Sequence, residues 1–445
     1  MEGGIDTLYT NLNFYGDVVL AANVENLYLT GTAERGHGND LDNLIVGNAS
    51  NNLLSGGNGN DTIVGGLGND TLDGLNGNNT VSYADCISAV TIDLRVTVAQ
   101  ETGASGNDML RNFANAIGGS GNDELTGAEY ANRLDGGLGS DTLIGLAGND
   151  TYVIDNAGDV IVEESASATE IDTVVARISG YTLGVNLENL TLEGPAKTGS
   201  GNALSNLLTG NAANNIFNGG LGDDTLLGGL GDDILDGGSG MGDTASYADS
   251  LAAVTVSLAL TGAQNTLGAG SDTLVNIEGL IGGSGNDLLI GNSGANRLTG
   301  GAGNDTLAGG AGNDTLVGGT GNDVYRFSGG VDTIIEADNT AGNIDVVEFA
   351  SGVTKEQLSV QHVGSNLEIG ITGTGDKLIL QNFYGGLPYH AEQFRFSNGD
   401  VLTDSQLLQM VQAMASFAPS PTGLLISSDD SQGRTPIPWL AVNPR

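Results

Sequence analysis

Gly300-Gly301-Ala302-Gly303-Asn304-Asp305-Thr306-Leu307-Ala308 is followed without a gap by Gly309-Gly310-Ala311-Gly312-Asn313-Asp314-Thr315-Leu316-Val317 and by Gly318-Gly319-Thr320-Gly321-Asn322-Asp323-Val324-Tyr325-Arg326. The nine-residue phase extends upstream to starts at Gly282 and Gly291. Three further blocks keep it, with starts at 38, 47, 56, 65 and 74; at 118, 127, 136 and 145; and at 201, 210, 219, 228 and 237. A disordered low-complexity tract would not hold an apolar residue at position eight through nineteen phased nonamers.

One nonamer is a turn plus a short strand. The glycines admit positive φ and a sharp turn, and a triplet such as Thr306-Leu307-Ala308 alternates polar and apolar with Leu pointing inward. A strand with one buried residue cannot fold alone, so the units must stack, each strand paired with its equivalents and the leucines in a ladder. Two nonamers complete one coil of a flattened roll. Eighteen-residue spacing then puts Asp123 beside Asp141, Asp287 beside Asp305, and Asp305 beside Asp323. The fold class is all-β: a parallel β-roll, or β-solenoid.

Carboxylates stacked about 5 Å apart repel strongly in a partly desolvated turn. The blocks hold too few Lys or Arg for ion pairs, and the ligand set on offer is all oxygen, aspartate plus main-chain carbonyl. That set suits Ca²⁺, whereas zinc would call for His and Cys that are missing. Weaker units carry Asn at position six, as at Asn52, Asn132, Asn215 and Asn296, and read as caps with side-chain ladders.

These nonamers closely resemble the glycine- and aspartate-rich repeats of the RTX (repeats-in-toxin, haemolysin-type) calcium-binding proteins. The resemblance implies a roll in which position-six aspartates and nearby turn carbonyls bind several Ca²⁺ ions between coils. Carried over by position, the carboxylate ligands are Asp61, Asp70, Asp123, Asp141, Asp150, Asp224, Asp233, Asp287, Asp305, Asp314 and Asp323. The carbonyl ligands are those of turn residues such as Gly301, Gly303, Gly310, Gly312, Gly319 and Gly321. Asn79 replaces Asp at the end of the first block and Met241-Gly242-Asp243 breaks the last unit of the third, so weaker or empty sites are expected there.

The blocks, 38–82, 118–153, 201–245 and 282–326, are separated by linker strands at 83–117, 154–200 and 246–281 and preceded by a partial module at 1–37. A longer period of about 164 residues relates Val24-Glu25-Asn26-Leu27 to Leu187-Glu188-Asn189-Leu190 and Ser82-Tyr83-Ala84-Asp85 to Ser246-Tyr247-Ala248-Asp249. Gly106-Asn107-Asp108 and Gly270-Ser271-Asp272 are isolated turns within two linkers, as if the solenoid ran through them. Ile5-Asp6-Thr7-Leu8 matches Ile171-Asp172-Thr173-Val174, so residue 1 falls inside a module and the chain reads as part of something longer.

From 327 to 403 glycine thins out and aromatics gather. Leu378-Ile379-Leu380 and Glu392-Gln393-Phe394-Arg395-Phe396 read as antiparallel strands of a cap over the last coil, resembling the haemolysin-type calcium-binding related domain. Residues 404–445 open with an amphipathic helix, apolar at 407, 408, 411, 414 and 417, and end in a proline-bearing tail. The resemblance makes this segment an uncleaved signal for type I secretion machinery; the plainer reading is a helix packed on the cap.

The 445 residues carry 54 acidic and 13 basic side chains, a net charge of −41. Nucleic acid and anionic membrane surfaces are excluded as partners, since either needs clustered cations. No run approaches the ~18 apolar residues of a membrane span. The lone Cys86 permits no internal disulfide and reads as a structural thiol. The three histidines, His37, His362 and His390, match no catalytic or zinc motif, so no enzymatic activity is expected within these residues. The sequence thus points to a secreted bacterial calcium-binding region that folds on Ca²⁺ after type I export. The alternative is a calcium-dependent extracellular adhesin, surface-layer or polysaccharide-binding matrix module, with extracellular polysaccharide or further copies of the chain as its partners.

Overall fold

The computed structural model describes residues 4–11, 16–165, 167, 169–340 and 342–417. Successive nonamers place their strands alternately on two faces. Leu288–Ile290, Thr306–Ala308 and Val324–Phe327 pair in parallel on one face, and Arg297–Ala302 and Thr315–Thr320 pair in parallel on the other. Partners lie 18 residues apart, as in Asp287 N–H to Asp305, so two nonamers make one coil.

Each strand sends its middle residue inward because side chains alternate across the pleat. The registers align Leu208, Leu226, Ala245, Leu280, Leu298, Leu316 and Ile334 in one fully buried ladder. Leu289, Leu307, Tyr325, Val347 and Phe394 form the facing one. Burying one such side chain contributes about 1.5–3 kcal/mol, so each coil, with two of them, is held by a modest apolar term.

The four blocks share one face. A single 20-stranded sheet runs from Thr7–Thr10 to the C-terminal strands, whereas the opposite face is divided into sheets of four, six, six and seven strands. Two of the three divisions arise because a linker crosses over. Thr91–Asp93 pairs forward with Glu124–Thr126; the chain then returns, and Asn107–Arg111 completes the preceding sheet beside Thr71–Leu75. Asn115–Ile117 rejoins the shared face beside Thr80–Ser82. The 246–281 linker repeats the manoeuvre with Thr255–Ser257, Ser271–Val275 and Gly279–Ile281. The 154–200 linker is solenoid as well, its Thr173–Ala176 pairing with Thr151–Ile154 and with Asn189–Leu192.

The roll also continues beyond residue 326. Val331–Ile335 and Val346–Phe349 stack in parallel on the last nonamers, and Lys377–Leu380 and Gln393–Arg395 stack on those. Leu378-Ile379-Leu380 is therefore parallel to the roll on one side and antiparallel to Asn366–Ile371 on the other. The hairpin of Gln393–Arg395 with Val401–Thr403 is antiparallel, as its turn residues indicate. Helix Asp404–Phe417 starts on a reciprocal cap between Thr403 and Gln406 and buries Leu407 against the end of the roll. The tail from 418 lies outside the described residues. Among the described residues no helix is long and apolar enough to cross a membrane.

Close stacking leaves no room for side chains in the turns. Gly319 has φ +111° and its Cα stands against the carbonyl oxygen of Gly301 one coil back. A β-carbon there would require both a left-handed backbone and a displaced neighbour, at a cost of about 1–3 kcal/mol for the backbone alone.

Candidate metal centres

Position six is where the coils are tied together. Its main-chain N–H points along the stack and donates to one carboxylate oxygen of the equivalent residue in the next coil. Asp123 N donates to Asp141 Oδ1 at 2.8 Å, Asp287 N to Asp305 Oδ1 at 2.7 Å, and Asp305 N to Asp323 Oδ1 at 2.8 Å. The same bond joins Asn52 to Asp70, Asn132 to Asp150, Asn206 to Asp224, Asn215 to Asp233 and Asn296 to Asp314. Asn43 N donates to Asp61, whose own N–H goes to Asn79 Oδ1. The predicted aspartates thus lie in columns, each at most 2% exposed.

The second carboxylate oxygen divides them. In Asp61, Asp70, Asp141, Asp150, Asp224, Asp233, Asp305, Asp314 and Asp323, Oδ2 is buried and has no hydrogen-bond partner. It faces the first glycine of its own nonamer: a β-carbon at Gly300 would collide with Asp305 Oδ2 and with the carbonyl oxygen of Gly318 in the next coil. Gly56 has the same relation to Asp61 and the Gly74 carbonyl, and Gly219 to Asp224 and the Gly237 carbonyl. Asp123 and Asp287 are built differently, because their Oδ2 accepts from Gly119 N–H and Gly283 N–H in their own turns. Asn132 and Asn296 use the side-chain carbonyl in that way, accepting from Ala128 N–H and Asn292 N–H, while their amide nitrogens donate to Ala114 O and Glu278 O. The asparagine coils are therefore hydrogen-bonded caps, and Asp123 and Asp287 start their columns in the same manner.

An orphaned buried carboxylate oxygen beside a main-chain carbonyl is half of an oxygen-only cation site. Gly301, Gly303, Gly310, Gly312, Gly319 and Gly321 lie in the turns with φ between 102° and 129°. The carbonyls of Gly301, Gly303 and Gly312 lie against the Cα atoms of Gly319, Gly321 and Gly330 one coil on. Among the described residues no ion pair reaches a column aspartate. Burial accordingly pushes Asp61, Asp224 and Asp323 up to about 6, and Asp70, Asp141, Asp150, Asp233 and Asp305 up to about 7, with the N–H donors pulling the other way. Neighbouring carboxylates add to the rise, Asp108 at Asp70 and Asp323 at Asp305. A Ca²⁺ ion fits this donor set, and the free Oδ2 atoms and turn carbonyls are the oxygens that would hold it.

Several column members escaped the sequence reading. Asp243 accepts from Asp224 N–H and carries an orphaned Oδ2, so the break at Met241-Gly242-Asp243 shifts the column by one residue without ending it, and the site expected to be weak or empty keeps its carboxylate. Asp332 is equivalent, accepting from Asp314 N–H; its position eighteen residues on was a readable signal. Asp108 and Asp272, from the isolated linker turns, extend the columns of Asp70 and Asp233. Glutamates end others: Glu188, Glu278 and Glu392 accept from Asp172, Asp243 and Asp345 N–H. Cys86 is buried with Sγ 2.8 Å from Ser105 Oγ, and His390 bridges Phe383 O and Asp404.

Comparison with known proteins finds calcium-binding repeats over the same blocks. The RTX calcium-binding nonapeptide repeat matches residues 37–72, 46–81, 117–152, 201–240, 280–307 and 299–334. The haemolysin-type calcium binding protein related domain matches residues 366–406. The iron-regulated protein FrpA of Neisseria meningitidis serogroup C is 29% identical over 86 residues, 19% of this chain and 8% of that protein. The extracellular lipase LipA from Serratia marcescens aligns at 17% identity over 47% of this chain and 42% of its own, with a TM-score of 0.14. The chain thus spans less than half the length of these two proteins.

Two outcomes follow. Asp314→Asn keeps an acceptor for Asn296 N–H but replaces the free oxygen, so equilibrium dialysis should find about one Ca²⁺ fewer per chain, whereas Asp287→Asn, whose second oxygen already has a donor, should change the count little. Because the folded carboxylates titrate above their ordinary value of 3.8, their contribution in chelator is complete below about pH 4 and is lost as pH rises through about 6 to 7. Circular dichroism in chelator should therefore show order decreasing across that window, while in Ca²⁺ the affinity should fall as protons compete on going down through it.

Proposed function

We propose that this chain, which carries RTX calcium-binding nonapeptide repeats and a haemolysin-type calcium binding protein related domain, is a secreted bacterial β-roll region that folds when Ca²⁺ fills its turns after type I export. One observation carries the reading: columns of buried carboxylates whose second oxygen has no donor and no cationic side chain beside it. Such columns can be assembled only with a cation or with protons between them.

The ion supplies the positive charge that the chain lacks, and the chain's own part is to hold oxygens in register along the stack. Sites of the extracellular class bind at about 10⁻⁴–10⁻³ M, so they are empty at submicromolar cytosolic Ca²⁺ and filled at millimolar Ca²⁺ outside. An ion present at tenfold its dissociation constant adds about 1.4 kcal/mol of folded-state stability. Several together reach the ~5–15 kcal/mol that separates a folded domain from its unfolded chain. Metal binding and folding then become one event. The loose, highly acidic metal-free chain suits passage through an exporter, with residues 404–445 as the signal; the helix Asp404–Phe417 packs on the cap once folding is complete. Within this reading the region is non-enzymatic, and any reaction belongs to other parts of the parent protein.

Sedimentation velocity tests the proposal. In chelator the chain should sediment as an expanded monomer, and millimolar Ca²⁺ should compact it without changing its mass. An unchanged frictional ratio would reject the folding role, and large Ca²⁺-dependent assemblies would favour a surface-layer or adhesive matrix role instead.

A further inference from the structure

The two blocks that end in a tyrosine nonamer share a feature outside the nonapeptide pattern. In Asp150, Tyr152, Glu163 and Asp172, and again in Asp323, Tyr325, Glu336 and Asp345, the four residues occur at identical spacing. In each copy the three acidic residues bring one oxygen apiece within 4.8 Å of one another. All six are at most 8% exposed.

The arrangement arises from the register. Gly145 and Gly318 face the free Oδ2 atoms of Asp150 and Asp323, and in an ordinary coil the residue eighteen further on is again glycine. Here that position is Glu163 or Glu336, so a carboxylate enters the space where the next coil would otherwise offer only backbone. The coil is also longer. Asp150 N–H donates to Asp172 Oδ1 and Asp323 N–H to Asp345 Oδ1, both across 22 residues, and the extra length lets the third carboxylate reach the same pocket. Tyr152 and Tyr325, in the inward position usually held by Leu, donate their hydroxyls to Glu163 and Glu336.

Neutralising donors do not complete the cluster. Asp150 Oδ2, Asp323 Oδ2 and Glu336 Oε2 are buried without a hydrogen-bond partner. Glu163 is better supplied, since Ser165 N–H takes its other oxygen, and Asn343 donates to Asp345 Oδ2 at 3.0 Å. Three carboxylates with one tyrosine hydroxyl, and among the described residues no Lys or Arg within ion-pair distance, form a hard, all-oxygen site for a divalent ion.

We propose that Asp150–Glu163–Asp172 and Asp323–Glu336–Asp345 are two three-carboxylate Ca²⁺ sites that close the rolls, in which the free Oδ2 of Asp150 or Asp323 is joined by two further carboxylates where an ordinary turn site has only backbone from the next coil. The choice of ion rests on the calcium-binding reading of the rolls; the sites themselves rest on the clustered, orphaned oxygens. A third carboxylate makes them more negative than the turn sites, so they should fill first and set the ends from which the roll zips up.

The test uses the full chain and two probes. Equilibrium dialysis at saturating Ca²⁺ should find about one ion fewer in Glu336→Gln and in Glu163→Gln, and about two fewer in the double variant, with the missing ions drawn from the tightest class. Tb³⁺ luminescence excited through tyrosine should drop in Tyr152→Phe and Tyr325→Phe, which keep all three carboxylates. Circular dichroism at saturating Ca²⁺ identifies any variant that fails to fold, and the phenylalanine variants then decide. Ion counts and luminescence unchanged from the parent, in a parent that binds Ca²⁺, would overturn these two sites alone and mean that the clusters share a proton. A parent chain that binds no Ca²⁺ would overturn both this proposal and the reading of the rolls.

Discussion

The bond from a position-six N–H to the carboxylate of the next coil is the constraint on which the rest of the structure depends. It sets the spacing of the coils and withdraws the aspartate from water, yet it uses only one of two oxygens. Like charges about 4.8 Å apart in a medium of effective dielectric 20 repel by about 3.5 kcal/mol per neighbouring pair. Burying the two inward side chains of a coil contributes about 3–6 kcal/mol. The two terms are of the same size, which leaves little to offset the cost of ordering the backbone of a glycine-rich chain. Neutralising the column shifts the balance.

Glycine, asparagine and aspartate divide the labour along each column. Glycine at the first position leaves the space into which Asp Oδ2 projects; a methyl group at Gly300 would fill it. Asparagine at the start of a block satisfies its own turn with its carbonyl and the preceding strand with its amide, so the end of a column needs no ion. Aspartate in the middle leaves an oxygen over, and glutamate at the far end receives the last N–H. The same bond is kept throughout while the need for a cation is switched on and off by single side chains.

Much of this was legible in the sequence, because a nine-residue phase with one apolar position admits few folds. The phase placed Asp305 between Asp287 and Asp323 and marked Asn132 and Asn296 as caps, and the structure agrees. Where the phase slips, the reading stopped short. Asp243 lies 19 residues from its partner because the unit at Met241-Gly242-Asp243 slips by one residue, and Asp108 lies 38 from its own because the linker inserts a crossover that periodicity does not describe. That crossover also hides the shared face, since strands such as Thr91–Asp93 and Asn107–Arg111 pair in opposite directions along the chain. Glu163 and Glu336 were illegible for another reason: each interrupts the glycine pattern and is informative only once the turn beneath it is seen. The difference between Asp287 and Asp305 is a matter of one turn's N–H, which residue identity does not encode.

Far-UV circular dichroism above the window of about pH 6 to 7 in which the columns lose their protons, started in chelator and followed during Ca²⁺ addition with Mg²⁺ as control, tests the central claim most directly. The account predicts a chain with little β signal in chelator, a cooperative gain as Ca²⁺ approaches the millimolar range, and no such gain with Mg²⁺, whose small octahedral shell the column geometry does not suit. A full β signal in chelator above that window would contradict it, because the buried carboxylate columns would then have formed with neither cation nor proton between them.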